Sequence, residues 1–134
     1  MIVSTKGRYA LRVIIDLAEH QDGNYIPMKD VAARQGISLG YLAQIMPLLS
    51  KAGMIDGVAG KGGGYRLNRS PQQYHVGDIL RLTEGNMAPV SCMEEGAMPC
   101  RFAGECRTLP LWRHVGEMLY DYFDSVSIAD LMVQ

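Results

Sequence analysis

Three thiols crowded into one short stretch are the most reactive feature of this chain. Cys92, Cys100 and Cys106 are its only cysteines, set in a C-x7-C-x5-C pattern within "SCMEEGAMPCRFAGECRTL". Thiolates are soft ligands that select iron–sulfur clusters, zinc or copper(I). A cluster usually takes four thiolates, so three leave one position for another ligand or an attacking molecule. The steps exceed the roughly two to four residues common in structural zinc sites. The same residues are also consistent with unliganded reduced thiols, or with a thiol switch that forms a disulfide on oxidation. An enzyme is disfavoured: there is no C-x-x-C and no cysteine–histidine–carboxylate pattern, and His20 and His75 lie near breaks in the chain.

A second group of residues points to nucleic acid. Residues 1–69 carry nine Lys and Arg against five Asp and Glu, whereas residues 70–134 carry four against nine. A basic front half suits a polyanion, although solvated surface charge explains the same count. Within it, "ISLGYLAQIMPLLSKAG" reads as a helix with Ser38 as its N-cap and Gly53 as its stop. Its first residues, Ser38, Leu39, Gly40, Tyr41 and Gln44, are placed to reach base edges. Gln44 can pair in bidentate fashion with adenine, and Ser38 and Tyr41 suit phosphate or base edges. Tyr41 fits core packing equally well. Lys51, and Lys61 beside Gly62 in "GKGGG", would supply charge and close approach to phosphates. A lone glycine-rich loop is also a plain hairpin turn.

The elements that must position these residues follow from periodicity and punctuation. "STKGRYALRVIIDLAEHQ" has Leu11, Ile14, Ile15 and Ala18 at helical spacing, with Ser4 or Thr5 to cap it. "PMKDVAARQG" is a short helix with Pro27 near its first turn and Gly36 past its end. This helix, a tight turn at Gly36 and the helix after Ser38 make a helix-turn-helix. Met54–Ala59 and Tyr65–Asn68 are short β-like runs around "GKGGG", so a hairpin wing follows. "SPQQYHVGDILRLTEG" starts as a turn and continues as a helix. Residues 86–107 hold the cysteines in a loop without periodicity. "TLPLWRHVGEMLYDYFDSVSIADLM" is a long helix with a small tail. Pro47 inside the third helix predicts a kink near residues 43–47.

The long helix has two apolar stripes. Leu111, Val115, Met118 and Tyr122 form one, and Trp112, Leu119 and Phe123 form the other. A core accounts for one stripe; the second calls for a partner helix, hence a homodimer. A two-fold protein presents two recognition helices about 34 Å apart and expects a palindromic site on double-stranded DNA. The predicted fold is mostly α with a small β-wing. Residues 1–85 form a winged helix-turn-helix DNA-binding domain, 86–107 a cysteine-bearing sensor loop, and 108–134 a dimerisation helix and tail. With 48% hydrophobic and 20% charged residues, the composition is that of a globular protein. No apolar run is long enough for a membrane span, and the N-terminal residues lack a signal peptide's pattern, so a cytoplasmic protein is expected.

Taken in order, "STKGRYALR", "ISLGYLAQIMPLLSKAGMI", "GKGGGYRLNR", "VGDILRLTEG" and "LWRHV" resemble the Rrf-type winged-helix regulators across essentially the whole chain. That family includes an iron–sulfur cluster regulator, a nitric-oxide-sensing repressor and a cysteine-metabolism repressor. The resemblance implies a dimeric bacterial transcription factor whose DNA binding is controlled by an iron–sulfur cluster, [2Fe–2S] or [4Fe–4S], on Cys92, Cys100 and Cys106. The alternative is a cluster-free regulator that responds to cysteine oxidation, zinc or a protein partner. Departures from the family bear on the fourth ligand and on DNA. Leu109 stands where some relatives place a histidine, and Lys6-Gly7-Arg8 where others offer a carboxylate to the partner. Glu94, Glu95, Glu105, His114, a partner carboxylate, a small thiol or water remain as fourth ligands. Ala59 replaces an arginine common in the wing, and Ala43 a glutamate common in the recognition helix.

Overall fold

The computed structural model describes residues 3–133. Helices α1 (Thr5–Glu19), α2 (Met28–Gln35) and α3 (Leu39–Lys51) lead into a hairpin of β1 (Ile55–Val58) and β2 (Gly64–Leu67). Then come α4 (Val76–Glu84), α5 (Leu109–Ser125) and the short α6 (Ile128–Leu131). The architecture is the expected one, mostly helical with a two-stranded antiparallel wing paired Ile55 to Leu67 and Val58 to Gly64.

Side-chain caps start α1 and α3. The Ser4 hydroxyl accepts from the Gly7 N–H at 3.3 Å, and the Ser38 hydroxyl from the Tyr41 N–H at 3.1 Å. Each satisfies one of the orphan donors of its first turn. Helix α2 ends at Gly36 in the left-handed region, φ 63°. Apolar faces then converge: Ala10, Val13, Ile14 and Leu17 of α1 meet Leu42, Ile45, Met46 and Leu49 of α3, with Ile55 and Ile79. All of these are fully or almost fully buried.

Three features go beyond what local patterning reveals. Ile26 pairs with Tyr65 through two backbone hydrogen bonds of 2.8 and 2.9 Å, so the segment before α2 braces the wing. The Tyr74 hydroxyl donates to the Met54 carbonyl at 2.5 Å and accepts from the Asn68 N–H at 3.2 Å, tying both ends of the wing to one buried ring. The tail after α5 returns to the main core. Ile128 is fully buried there, the Val76 N–H donates to the Val126 carbonyl, and the Ile128 N–H donates to the Tyr74 carbonyl.

Helix α3 continues through Pro47 to Lys51, so the proline does not end it. Pro47 and Ala43 are both exposed, so the carbonyl that loses its N–H partner lies on the wet side of the helix. Among the described residues no helix is long and apolar enough to cross a membrane.

Candidate DNA-reading helix and cysteine site

The exposed face of α3 carries Leu39, Gly40, Ala43, Gln44, Pro47 and Lys51. Ser38 is exposed at the N-cap, its hydroxyl oxygen occupied by the Tyr41 N–H. Leu39 keeps 51% of its surface although it is large and apolar. Nothing approaches within 4 Å of the position a Gly40 Cβ would take, so the backbone is open to a close neighbour. Tyr41 is half-buried and packs edge-on against Tyr9, with ring centroids 5.3 Å apart; the packing role weighed for it is therefore met. Lys61 and Gly62 are exposed at the tip of the wing. The structure thus gathers Ser38, Leu39, Gly40 and Gln44 at one end of one helix. Lys51 lies at the other end, and Lys61 and Gly62 on a separate element.

The turn before α3 is held by a buried carboxylate that sequence reasoning did not single out. Asp16 of α1 is 1% exposed. It accepts from Arg34 Nη2 at 2.8 Å and Nε at 3.0 Å, and from Gln35 Nε2 at 2.9 Å. Burial works against its ionisation, but the hydrogen bonds from Arg34 and Gln35 outweigh it and hold the carboxyl below the usual range. Gln35 is in turn bonded to Arg12 through its side-chain oxygen at 3.1 Å and through its carbonyl. Both residues that grip Asp16 stand in the last turn of α2, next to Gly36. The available signal was an acid inside an otherwise apolar helical face.

The three cysteines line one open cavity of about 270 Å³ at the start of α5, with Met93, Pro99, Ala103, Leu109 and Arg113. Cys92 and Cys100 are exposed and Cys106 is half-buried; all three are free. The Cys106 thiol is held below its ordinary value by the hydroxyl of Thr108, at 3.4 Å, and then by the backbone N–H groups of Thr108 and Leu109. Amides at a helix start stabilise a thiolate in this way. Arg113, one turn into α5, places a cation at the same cavity. Neither Thr108 nor Arg113 was identified from the sequence; helical spacing from Leu109 would have placed Arg113 on that face.

The donor set matches an iron–sulfur cluster in kind: three thiols, one with its pKa held below the ordinary thiol value, around a mostly apolar cavity with one cation. Among the described residues no three His, Cys, Asp or Glu side chains stand close enough to hold a single metal ion. A cluster spreads its ligands over several atoms, so the shared cavity is the more relevant geometry. Of the fourth-ligand candidates, Glu94, Glu105 and His114 do not line this cavity, and Glu95 lines the neighbouring one between residues 85–95 and α5.

Helix α5 docks on α4, where Tyr120 and Phe123 pack against Val76 and Leu80. Arg81 of α4 makes a bidentate pair with Asp124, at 2.7 and 2.8 Å, and this bond holds the Asp124 carboxyl below its usual range. Gly77 makes room: a Cβ there would collide with the Asp124 carboxylate. Gly7 plays the same part at the other end of α4. Glu84 accepts from the Ser4 N–H at 3.1 Å and the Ser4 hydroxyl at 2.7 Å, in space a Gly7 side chain would fill. On the far face of α5, Leu111, Met118 and Tyr122 are 52%, 58% and 66% exposed, with Val115 half-buried between them.

A helix-turn-helix followed by a hairpin wing, with a long helix carrying an exposed apolar stripe, defines a winged-helix transcription regulator. Residues 3–134 match the Rrf2 model, described as "Iron-dependent Transcriptional regulator", and the chain belongs to that family of DNA-binding regulators rather than to an enzyme family. It is 36% identical over 133 residues to the HTH-type transcriptional regulator IscR of Aliivibrio salmonicida, covering 99% of this chain and 78% of that protein. Among solved structures it is similar to T. potens IscR, at 35% identity and a TM-score of 0.75 over 98% of this chain and 85% of that one. It is also similar to CymR, the global cysteine regulator of B. subtilis, at 31% identity and a TM-score of 0.78 over 98% and 95%.

Proposed function

We propose that this protein is a homodimeric cytoplasmic transcription regulator whose grip on a palindromic operator is set by an iron–sulfur cluster on Cys92, Cys100 and Cys106. The observation that carries it is the meeting of all three thiols on one cavity at the start of α5. IscR-named relatives support the same reading. When bound, such a cluster supplies a centre that reacts with oxygen or nitric oxide. The fourth position falls to a ligand from outside this cavity: a partner carboxylate, a small thiol or water.

The chain's own residues provide the transmission. The cysteine loop joins the end of α4 to the start of α5, so its order bears on the pose of both. The Arg81–Asp124 pair ties α5 to α4, α4 packs on α1, and Asp16 of α1 grips the turn that aims α3. The exposed stripe of Leu111, Met118 and Tyr122 packs against its copy and fixes the spacing of the two reading heads. A ligand shifts this equilibrium only by its different affinity for the two poses. Ser38, Leu39, Gly40, Tyr41 and Gln44 face the major groove, and Lys51, Lys61 and Gly62 face phosphates.

The test is protein purified without air. Visible absorption with matching iron and acid-labile sulfide is expected, lost in Cys92→Ala without loss of helical circular dichroism. A colourless protein that stays colourless after reconstitution with iron and sulfide overturns the cluster reading. The exposure of Cys92 and Cys100 favours a thiol switch as the second reading, marked by DNA binding lost with peroxide and restored by a thiol reductant.

A further inference from the structure

The groove-facing end of α3 is unusual in what it lacks. Residues 38–46 contain no charged side chain, and the exposed positions among them are Ser38, Leu39, Gly40, Ala43 and Gln44. The Ser38 hydroxyl caps the helix and the half-buried Tyr41 ring packs on Tyr9, which leaves Gln44 as the one long, fully exposed polar side chain there. Strong readout of guanine needs the paired donors of Arg or Lys, and readout of cytosine N4 needs a carboxylate. Neither group stands on this face before Lys51. Arg12 of α1, which stacks on Tyr9 beneath Tyr41, is already engaged by Gln35. What the face does offer is apolar surface: Leu39 is 51% exposed, and Ala43 follows one turn later on the same line.

Apolar side chains in the major groove have one specific target, the C5 methyl group of thymine. We infer that α3 reads A·T pairs, with Leu39 and Ala43 against thymine methyls and Gln44 bidentate to an adjacent adenine. This rests on the assignment of α3 as the recognition helix and adds its base preference. It also explains why a regulator exposes a leucine at the tip of its reading helix: the residue is buried by DNA. Phosphate charge, from Lys51 and the wing, then sets affinity without reading sequence.

The experiment selects duplexes from a random pool with the full chain, in its anaerobically purified and metal-free forms. Each half-site thymine is then replaced by deoxyuridine, which removes only the methyl group. At one or two positions this weakens wild-type binding roughly fourfold, the worth of one buried methyl. Leu39→Ala binds the thymine and deoxyuridine duplexes equally at one of them, and being exposed the substitution leaves the core intact. Gln44→Ala loses roughly tenfold for the selected site and relaxes the adenine beside it. A specific duplex at which no thymine is methyl-sensitive, or full sensitivity kept by Leu39→Ala, overturns this inference and leaves the DNA reading standing. If neither form selects any duplex, both fall together.

Discussion

At the scale of single residues, the cysteines and Asp16 show two uses of polar groups. Cys92, Cys100 and Cys106 stay accessible around a cavity, where chemistry needs them open. Asp16 is sealed in the core, where only complete pairing makes a carboxylate tolerable. Asp16→Ala leaves Arg34 and Gln35 without their acceptor at the turn before α3. A loss of about 2 kcal/mol in urea unfolding is expected. The pH dependence has a definite sign. The folded pKa lies below the unfolded value of about 3.9, so the Asp16 contribution is complete well above pH 4. It disappears as pH falls through the depressed folded value. Acid titration of the wild type should therefore show a loss of stability below about pH 4 that the Ala variant lacks.

At the scale of elements, two glycines set how helices dock. Gly7 lets the Glu84 carboxylate reach Ser4, and Gly77 lets Asp124 reach Arg81. Gly7→Ala pushes Glu84 away and should cost about 1 kcal/mol, the worth of the hydrogen bonds lost. Glu84→Ala alone costs a similar amount, and the double variant costs less than the sum, because both changes remove one interaction. A strictly additive pair in thermal or urea melts would contradict the contact. Asp124→Ala acts differently. The pair is half-exposed, so its stability effect should stay under about 1 kcal/mol. On the proposed cluster switch the larger effect falls on transmission: the ratio of operator affinities between cluster-loaded and metal-free protein should move toward unity in that variant. An unchanged ratio would place the coupling elsewhere.

At the scale of the molecule, charge and apolar surface are segregated. The basic front half carries the helix-turn-helix and wing, and the acidic back half carries the loop and α5. The stripe of Leu111, Met118 and Tyr122 runs exposed along three turns of helix and is the surface that the proposed dimer buries. Met118→Glu should turn a dimer into a folded monomer in sedimentation velocity, with operator affinity falling at least tenfold as the second reading head is lost. A dimer that survives this substitution would show that another surface holds it together.

Local sequence determined much of this protein. Ser4, Ser38 and Gly36 act through hydrogen bonds and dihedral angles within a few residues, and the glycine run turns the wing over a comparable distance; the helix-turn-helix and wing were therefore legible. The spacing of apolar residues on α5 likewise marked a face beyond the needs of one core. Tertiary structure decided what depends on distant partners. Ile26 braces Tyr65, Ile128 returns to the core beside Tyr74, and Asp16 grips Arg34 and Gln35 across 18 and 19 positions. No periodicity encodes these contacts, because they arise when separate apolar faces collapse and carry their polar neighbours with them. The cysteine loop lies between the two cases. Its thiols mark a reactive or ligating site by type alone, yet only the folded start of α5 brings them to one cavity beside Thr108 and Arg113.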